Sequence, residues 1–368
     1  MGKIYTSLGL MSGTSMDGVD ASIIKTDGKY EYKAILDKYF EYPKHIYKSL
    51  TFLRDKIKSS KGLKKYRKQI KFIEKEITIF HAKAANETLK KTRLKVDFIG
   101  FHGQTIFHNA REKITKQLGD GKLLSKLTKK NVVYEFRQKD LNNGGDGAPL
   151  TPIFHQMLQK KFNIEQVSFF NIGGILNRTT IWGDGLLTAK DIGPGMCLID
   201  KWIRIKSKKK YDENGNIAKS GKVNKKVLEK YWNIFKSTDP ERKSYDVSDF
   251  DISFAKGMSL KDGSATLTLF TSNIFISHFK TNSSFRDSKK EKIILCGGGR
   301  KNKFLFNTIK SWNKNIKLID DYGVDGDFVE SQAFAYLAIR SYLKLPISFP
   351  ETTGCKKPCS GGVLVKNF

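Results

Sequence analysis

Cysteine is scarce in this sequence, which has four in 368 residues: Cys197, Cys296, Cys355 and Cys359. Four thiols do not make the disulfide framework that stabilises small secreted proteins. Cys355 and Cys359 have the close spacing of zinc ligands, but no second ligand pair accompanies them. We therefore expect reduced thiols and no structural zinc.

Long apolar runs are missing as well. No stretch approaches the ~20 apolar residues that a membrane-spanning helix requires, and the N-terminus lacks the apolar core of a signal peptide. Both absences argue against a membrane protein and predict a cytoplasmic one.

Acidic residues are few relative to basic ones. The sequence has 37 Asp and Glu against 67 Lys and Arg, which gives a formal net charge of +30 and raises nucleic acid as a partner. However, only 11 of the basic residues are Arg, and the Lys residues are scattered along the chain. Because base recognition relies on grouped Arg and aromatic side chains, nucleic-acid binding is not expected as the main function.

The apolar residues that are present suffice for more than one core. A chain of 368 residues with 39% hydrophobic and 12% aromatic residues is expected to form two domains or lobes. Helical spacing of apolar residues predicts helices at 72–91 and 263–280, and short apolar runs predict strands at 96–101 and 292–296. This alternation indicates an α/β protein.

The most distinctive stretch runs from Leu8 to Asp20. An apolar run, a small polar turn at 12–15 and a second apolar run predict a β-hairpin with Gly13 at its tip. Glycine lets a ligand approach the main chain, and the nearby hydroxyls and N–H groups favour an anion such as phosphate. Asp17 and Asp20 are suited to a metal ion or a substrate hydroxyl. A plain glycine turn beside two solvated acids would have the same residues.

Two later glycine turns have a similar character. Gly173 and Gly174 interrupt an apolar run at 166–182, which repeats the strand–turn–strand pattern about 160 residues after the first and suggests a duplicated lobe. The three glycines at 297–299 directly follow the strand at 292–296. They leave room for a flat ring or a sugar against the backbone, although a flexible turn is the alternative.

Asp191 is the best candidate for a general base. It is expected at the end of a strand at 186–190, before the tight turn at 193–195 and a helix at 196–204. A carboxylate on such a rigid element is well placed to abstract a proton. An Asp that merely caps the turn is the competing interpretation.

Other polar residues are expected near the ends of strands and helices. His102 and Gln104 follow the strand at 96–101, although a lone His there is more often a structural residue held by a hydrogen bond. Arg137 is the best candidate to bind a carboxylate through its guanidinium fork, with a surface ion pair as the alternative. Glu330 lies in the first turn of a predicted helix at 327–343, where a carboxylate complements the helix dipole.

These stretches resemble the motifs of one known family. The string GLMSGTSMDGVD at 9–20 closely resembles the N-terminal motif of the anhydro-N-acetylmuramic acid kinases, a branch of the actin, hexokinase and Hsp70 ATPase superfamily. HGQT, an FR…D…GGDGAPL segment and DIGPGM also resemble that family's motifs, in the same order. The matches cover 8–20, 101–105, 136–149, 171–195 and 296–340.

The resemblance implies a two-lobed α/β fold of the actin-like ATPase (ribonuclease H-like) type, with a nucleotide cleft between the lobes. Lobe I is expected at 1–140, joined by 344–368, and lobe II at 141–343.

The resemblance also implies roles for individual residues. Asp191 is the catalytic base, and Asp17 is the ligand of Mg²⁺. Nucleotide contacts are implied for Ser12, Gly13, Thr14, Ser15, Asp17, Gly18, Asp20, Asn171, Gly173, Gly174, Gly297, Gly298 and Gly299. Substrate contacts are implied for His102, Gln104, Arg137, Asp140 and Glu330.

The implied reaction uses ATP and Mg²⁺ to open 1,6-anhydro-N-acetylmuramic acid with water and to phosphorylate O6, in cell-wall recycling, and a homodimer is one possible assembly. Asp146, Ile192 and Met196 replace the Gln, Thr and Asn of the family pattern, so the polar support of the base is in question. These three differences leave open the alternative that the protein is a kinase for another anhydrosugar, such as levoglucosan. A non-enzymatic ATP-binding protein or a basic nucleic-acid-binding protein is the alternative of another class.

Overall fold

The computed structural model describes residues 2–236, 244–282 and 291–367, without the side chains of 279–282. The strands are β1 (Tyr5–Ser12), β2 (Gly18–Thr26), β3 (Tyr32–Glu41), β4 (Phe98–Asn109), β5 (Ile114–Leu118), β6 (Asn131–Tyr134), β7 (Val167–Ile172), β8 (Ile175–Ile181), β9 (Leu187–Pro194), β10 (Lys292–Cys296), β11 (Ile316–Leu318) and β12 (Val363–Val365). The helices are α1 (Lys44–Lys56), α2 (Ser60–Lys65), α3 (Arg67–Leu89), α4 (Gly121–Thr128), α5 (Gln138–Asn142), α6 (Pro152–Lys161), α7 (Cys197–Lys206), α8 (Asn216–Lys219), α9 (Lys225–Lys236), α10 (Leu260–Asn282), α11 (Lys303–Trp312), α12 (Val329–Tyr342) and α13 (Pro350–Thr353).

The chain divides into two compact units. Unit 1 contains Met1–Ile164 and Phe328–Phe368, and unit 2 contains Glu165–Asp327. These limits differ from the expected lobe boundaries at 140/141 and 343/344. The difference arises because α6 and α12 pack within unit 1, where the Phe154 ring lies 5.6 Å from that of Tyr336.

Unit 1 is built on a seven-stranded sheet with the order β12-β6-β4-β1-β2-β3, and β5 pairs with β4. β1, β2 and β3 form an antiparallel meander, whereas β1, β4 and β6 run parallel. Parallel strands need a crossover between them, and α1 to α3 lie in the chain between β3 and β4.

The two faces of this sheet are covered by different helices. Successive strand residues point to opposite faces, and Leu8 and Leu10 of β1 join Ile73 and Ile77 of α3 in one apolar core. Gly9 points the other way, towards α12, and a Cβ there would lie 1.8 Å from the Ser331 carbonyl oxygen. The close approach of α12 to β1 therefore requires glycine.

Unit 2 has a five-stranded sheet with the order β11-β10-β7-β8-β9. β7, β8 and β9 are antiparallel, and β7, β10 and β11 are parallel. The sheet buries Phe170 and Leu295 against Trp202 of α7 and Phe270 of α10. Strand order and directions match those of β3-β2-β1-β4-β6 in unit 1, so the two units share one topology.

Several predicted elements are present with shifted ends. The predicted strand at 292–296 coincides with β10, and the helices predicted at 72–91 and 263–280 are α3 and α10. The strand predicted at 96–101 is wrong in its end, because β4 continues to Asn109 through its pairing with β5. β3, α1 and α9 were not predicted from the sequence. In the described part of the chain, no helix combines the length and apolar character needed to cross a bilayer.

Candidate active site

The first glycine turn joins β1 to β2. The Met16 N–H donates to the Gly13 carbonyl at 3.1 Å, and Met16 adopts a left-handed φ of 58° with its side chain buried. Thr14 and Ser15 are exposed at the tip, and the Ser15 hydroxyl donates to Asp17 Oδ1 at 2.5 Å. Two hydroxyls and a carboxylate therefore lie together at one accessible turn.

Gln104 supports this turn from the neighbouring parallel strand. Its Oε1 accepts from the Ser12 hydroxyl at 2.6 Å, and its Nε2 donates to the Gly13 carbonyl at 3.0 Å. The Ser12 hydroxyl also lies 2.8 Å from the Gly18 carbonyl. Both Gln104 and Ser12 are 1% exposed, so they hold the turn from beneath. The structure places Gln104 under the first glycine turn, and its predicted contact with substrate stays a prediction.

Gly18 and Asp20 lie in β2. A Cβ on Gly18 would lie 2.4 Å from the Phe40 carbonyl oxygen, so the packing of β2 on β3 requires glycine there whether or not a nucleotide binds. Asp20 is half-buried and lies opposite Met11 of β1.

His102 and Arg137 form a pair in unit 1. The Arg137 guanidinium donates to His102 Nε2 through Nε at 3.2 Å and Nη2 at 3.0 Å, and its Nη1 donates to the Gly147 carbonyl at 2.7 Å. His102 Nδ1 lies 2.9 Å from the Gly103 carbonyl, which makes Nδ1 the protonated nitrogen. Burial, and then the charge of Arg137, hold the pKa of His102 well below its ordinary value. His102 is therefore a neutral acceptor that orients Arg137.

The sequence predicts that HGQT follows the end of a strand. In the structure this segment lies inside β4 instead. The register between β1 and β4 shifts at Leu10/Met11, where Gly103 has a φ of +73°. A Cβ on Gly103 would lie 2.2 Å from the Leu118 carbonyl oxygen. This bulge lets β4 continue past the segment while it pairs with β5.

Asp140 organises the glycine-rich loop that follows it. It is 1% exposed, and its carboxylate accepts from the Gly147 N–H at 2.7 Å and from the Thr353 hydroxyl at 2.8 Å. A Cβ on Gly145 would lie 2.2 Å from Asp140 Oδ2. Asp146 donates its N–H to the Thr353 carbonyl at 2.8 Å. Asp140 thus lies beneath the loop, and contact with a substrate remains a prediction.

The second glycine turn joins β7 to β8 in unit 2, and the segment after β9 closes over it. Main-chain carbonyls of Gly173 and Gly174 accept from the N–H groups of Gly195, Met196 and Cys197 at 2.8–3.2 Å. A Cβ on Gly195 would lie 2.3 Å from the Gly173 carbonyl oxygen. The predicted second turn and the predicted GPG turn are therefore one interlocked structure.

Asp191 lies inside β9, opposite Asn177 of β8. The prediction that it follows the end of a strand is therefore wrong. Asp191 is 8% exposed, and its Oδ2 accepts from the Tyr245 N–H at 2.8 Å. Ile192 is buried in the apolar core of unit 2, and Met196 packs against that core. The apolar residues at these two positions therefore point towards the core, and Tyr245 supplies a polar contact to the predicted base.

The three-glycine turn after β10 adjoins the second glycine turn. Gly297 has a φ of +80°, and a Cβ there would lie 2.2 Å from Asn171 Oδ1. A Cβ on Gly299 would lie 2.3 Å from Ile172 Cγ2, whereas one on Gly298 would meet nothing within 4 Å. Packing thus requires glycine at 297 and 299 but leaves 298 unexplained by the protein alone.

Glu330 lies in the first turn of α12 and is half-buried. Its side-chain role in the sugar site stays a prediction. Across the described ranges, no three His, Cys, Asp or Glu side chains form a metal-binding group.

Comparison with known proteins decides the family. A sequence model described as anhydro-N-acetylmuramic acid kinase matches residues 5–367. The chain is 54% identical over 375 residues to the anhydro-N-acetylmuramic acid kinase of Pelagibacter ubique (strain HTCC1062), with 100% of both chains covered. It is 38% identical to that of Rhizobium etli, with 99% of each covered. The chain belongs to the anhydro-N-acetylmuramic acid kinase family.

Solved structures give a more distant likeness. Component A of the (R)-2-hydroxyglutaryl-CoA dehydratase of Acidaminococcus fermentans matches with a TM-score of 0.46 at 11% identity, over 92% of this chain and 99% of that one. A ROK family glucokinase of Streptomyces griseus, in complex with glucose and AMPPNP, matches with a TM-score of 0.41 at 11% identity, over 90% and 99% of the chains.

Membership of the anhydro-N-acetylmuramic acid kinase family confirms the resemblance found in the sequence and makes the chain an ATP-dependent kinase. The two-lobed α/β fold class is also confirmed, and the shared strand order of units 1 and 2 agrees with it. The predicted nucleotide cleft stays a prediction.

Sequence reasoning missed three contacts that shape the site of this kinase. The Tyr245 N–H to Asp191 is a main-chain donor, so no residue type signals it. The Thr353 hydroxyl that holds Asp140 is more than 200 residues away in sequence. Arg300, which binds Asp320 and Asp327 beside the three-glycine turn, could have been found, because it directly follows that turn.

Proposed function

We propose that this chain uses ATP and water to convert 1,6-anhydro-N-acetylmuramic acid into N-acetylmuramic acid 6-phosphate, with ADP as the second product. The curated relatives are named for this substrate. The observation that carries the proposal is the position of Asp191: a buried carboxylate on β9, in the same interlocked structure as the second glycine turn. This arrangement supports a base held beside a phosphate-binding turn.

The proposed reaction has two linked steps. Asp191 takes a proton from water while the water oxygen bonds to the anomeric carbon and the bond from that carbon to O6 breaks. O6 then attacks the γ-phosphorus of ATP and displaces ADP. Phosphoryl transfer depends mainly on positioning and charge neutralisation, so the protein's task is to hold water, sugar and ATP in line.

The glycine turns are the proposed phosphate and nucleotide contacts. Gly13 and Gly173 have open space at the Cβ position, with the nearest atoms 3.9 Å and 3.5 Å away, and Gly298 has none within 4 Å. Open glycines leave room for a ligand against the main chain. The exposed hydroxyl of Thr14 is a proposed side-chain donor at the first turn, and that of Ser15 becomes a second if it leaves Asp17 Oδ1 on nucleotide binding.

Mg²⁺ is proposed to arrive with ATP and to neutralise phosphate charge. A phosphate-bound Mg²⁺ keeps several waters and needs one or two protein carboxylates. Asp17 and Asp20 fit this requirement, since both are partly accessible on β2 or the turn before it. We propose Asp17 as the carboxylate that holds the ion.

Arg137 is proposed to bind the lactyl carboxylate of the sugar, with His102 orienting its guanidinium. Glu330 is proposed to face the same substrate. Because the reaction consumes ATP, we place it in the cytoplasm.

The test is incubation with ATP, Mg²⁺ and a panel of anhydrosugars that includes levoglucosan, with the product identified by mass. We expect 1,6-anhydro-N-acetylmuramic acid to gain the mass of HPO₃ plus H₂O. A gain of HPO₃ alone would contradict the hydrolytic step, and turnover of levoglucosan in preference would contradict the substrate.

A further inference from the structure

The contact between Asp191 and Tyr245 joins two distant parts of unit 2. Asp191 Oδ2 accepts from the Tyr245 N–H at 2.8 Å, across 54 residues of sequence. Asp191 is 8% exposed, and a buried carboxylate is costly unless donors compensate for lost hydration. The donor belongs neither to the β8–β9 hairpin nor to α7, so the base depends on a separate segment.

That segment is short and firmly held. Asp246 Oδ1 accepts from the Ser248 N–H at 2.8 Å and from the Ser248 hydroxyl at 2.7 Å, and the Asp246 N–H donates to Asp249 Oδ2 at 2.6 Å. These reciprocal bonds form a capping box at the residue directly after Tyr245.

The Tyr245 side chain fixes the other side of the segment. Its ring packs on Phe250 with centroids 5.3 Å apart, and Phe250 is buried in the unit 2 core. Ring packing and the capping box together fix the direction of the Tyr245 N–H.

We propose that residues 244–249, here called the base strap, position Asp191 for catalysis through the Tyr245 main-chain N–H. The inference rests on the proposed function, in which Asp191 is the base. The N–H fixes one carboxylate oxygen and thereby the orientation of the other. It also favours the charged form, the form that accepts a proton. Tyr245 is a positioning residue, since it acts through Asp191.

The decisive experiment replaces the amide at position 245 by an ester, using the α-hydroxy analogue of tyrosine introduced at a suppressed stop codon. This change removes the N–H and keeps the side chain. The reference protein carries ordinary tyrosine introduced at the same codon. A matched control places an ester at Phe250, whose N–H donates to the Val247 carbonyl at 3.4 Å and not to the base.

We expect the ester at 245 to lower kcat about tenfold at neutral pH and to move the acid limb of the kcat profile up by about one pH unit. The KM for ATP should stay within about twofold, since the strap does not act on nucleotide. The ester at 250 should leave the acid limb in place. An unchanged acid limb with the ester at 245 would overturn the proposal.

A second measurement does not require turnover. Titration of the ¹³Cγ signal of Asp191, assigned by its loss in Asp191→Asn, should show a higher pKa in the 245 ester than in the reference protein. Equal titration in both would also overturn the proposal. Should the ester protein fail to fold, Asp246→Ala is the second variant, because it loosens the strap. It should raise the pKa of Asp191 by a smaller amount than the ester. An unchanged pKa in Asp246→Ala would contradict the proposal.

These results separate the inference from the proposed function. Full turnover in Asp191→Asn would remove Asp191 as the base. An inactive Asp191→Asn together with an ester that behaves like the reference protein would remove only the role of the strap.

Discussion

The two units share a strand order, yet they stabilise their glycine turns by different means. In unit 1 the turn is held by side chains: Gln104 binds Ser12 and Gly13, and Ser15 binds Asp17. In unit 2 the turn is held by main chain, because the carbonyls of Gly173 and Gly174 accept N–H groups from the segment after β9.

This difference in how the turns are held explains why the two turns differ in amino-acid composition. A turn held by side chains needs particular polar residues, and the first turn is accordingly rich in Ser, Thr and Asp. A turn held by main chain needs only close approach, so the second shows little besides glycine. The unit 2 arrangement also brings Asp191 into the structure that closes the turn.

The largest effect is expected from Asp191→Asn. Removing a general base should lower kcat by about 10³-fold, within the range of general-base contributions. ATP binding, measured by calorimetry, should persist, because asparagine can still accept the Tyr245 N–H through its amide oxygen. Turnover within tenfold of the wild type would sink the assignment.

The next largest effect is expected where the segment at Gly195 packs on the unit 2 turn. Gly195→Ala places a Cβ 2.3 Å from the Gly173 carbonyl oxygen, and should cost about 3 kcal/mol of unfolding free energy, measured by urea denaturation. Gly173→Ala is the matched control, since its Cβ position is open. That variant should keep wild-type stability and lose affinity for ATP. Equal stability of the two variants would contradict the interlocked turn.

The unit 1 turn should respond to Gln104→Ala. The substitution leaves the Ser12 hydroxyl and the Gly13 carbonyl without their Gln104 bonds, and should cost about 1–3 kcal/mol of stability. Because the turn loses its support, the KM for ATP should also rise. Gln117→Ala, on the neighbouring β5, is the control for removal of a glutamine whose hydrogen bonds go to Thr105 and Thr115 and not to the turn. Unchanged KM in Gln104→Ala would show that the turn keeps its shape unaided.

Acid should distinguish the units, since unit 1 holds three buried neutral histidines, whereas the described part of unit 2 has one histidine, the half-buried His278. Burial lowers the pKa of His81 to about 4 and of His155 to about 3, and burial followed by Arg137 lowers that of His102. In unit 2, burial, then Lys190 and Arg178, lower the pKa of His278 to about 4.

These lowered pKa values mean that acid destabilises the native state. The unfolded chain binds protons below pH ~6.5 and the native histidines do not, so stability is lost as pH falls from 6.5, by up to roughly 2 kcal/mol per histidine at pH 5. Amide hydrogen exchange, corrected for intrinsic rates, should therefore show unit 1 opening more than unit 2 between pH 7 and 5. His81→Phe should reduce that difference, and equal opening would refute it.

The sequence predicted the positions of the glycine turns because the motif residues lie in the turns themselves. Gly13, Gly173 and Gly297 directly follow strands, as expected, whereas Asp191 lies inside β9. It could not predict that Gln104 and Asp140 point under their loops, since burial depends on residues far away in the chain. Nor could periodicity show that β4 passes through HGQT, because a bulge at Gly103 keeps the strand going.

The lobe boundaries were harder to predict for a related reason. The apolar residues of α12 indicate a helix but not the sheet against which it packs. Gly9 and Gly100 reveal that sheet, because a Cβ on either would collide with main-chain oxygens of α12 at 1.8 Å and 2.1 Å. Isolated glycines within strands are thus the sequence signal for this contact.

The contact of α12 with Gly9 and Gly100 has a consequence for synthesis on the ribosome. Unit 1 starts at the N-terminus, but the helix that covers one face of its sheet begins at Val329, after all of unit 2. At ~5–20 residues per second, that face waits roughly 10–35 s for its helix to be translated. Unit 2 is continuous in sequence, so it can fold on the nascent chain before unit 1 is complete.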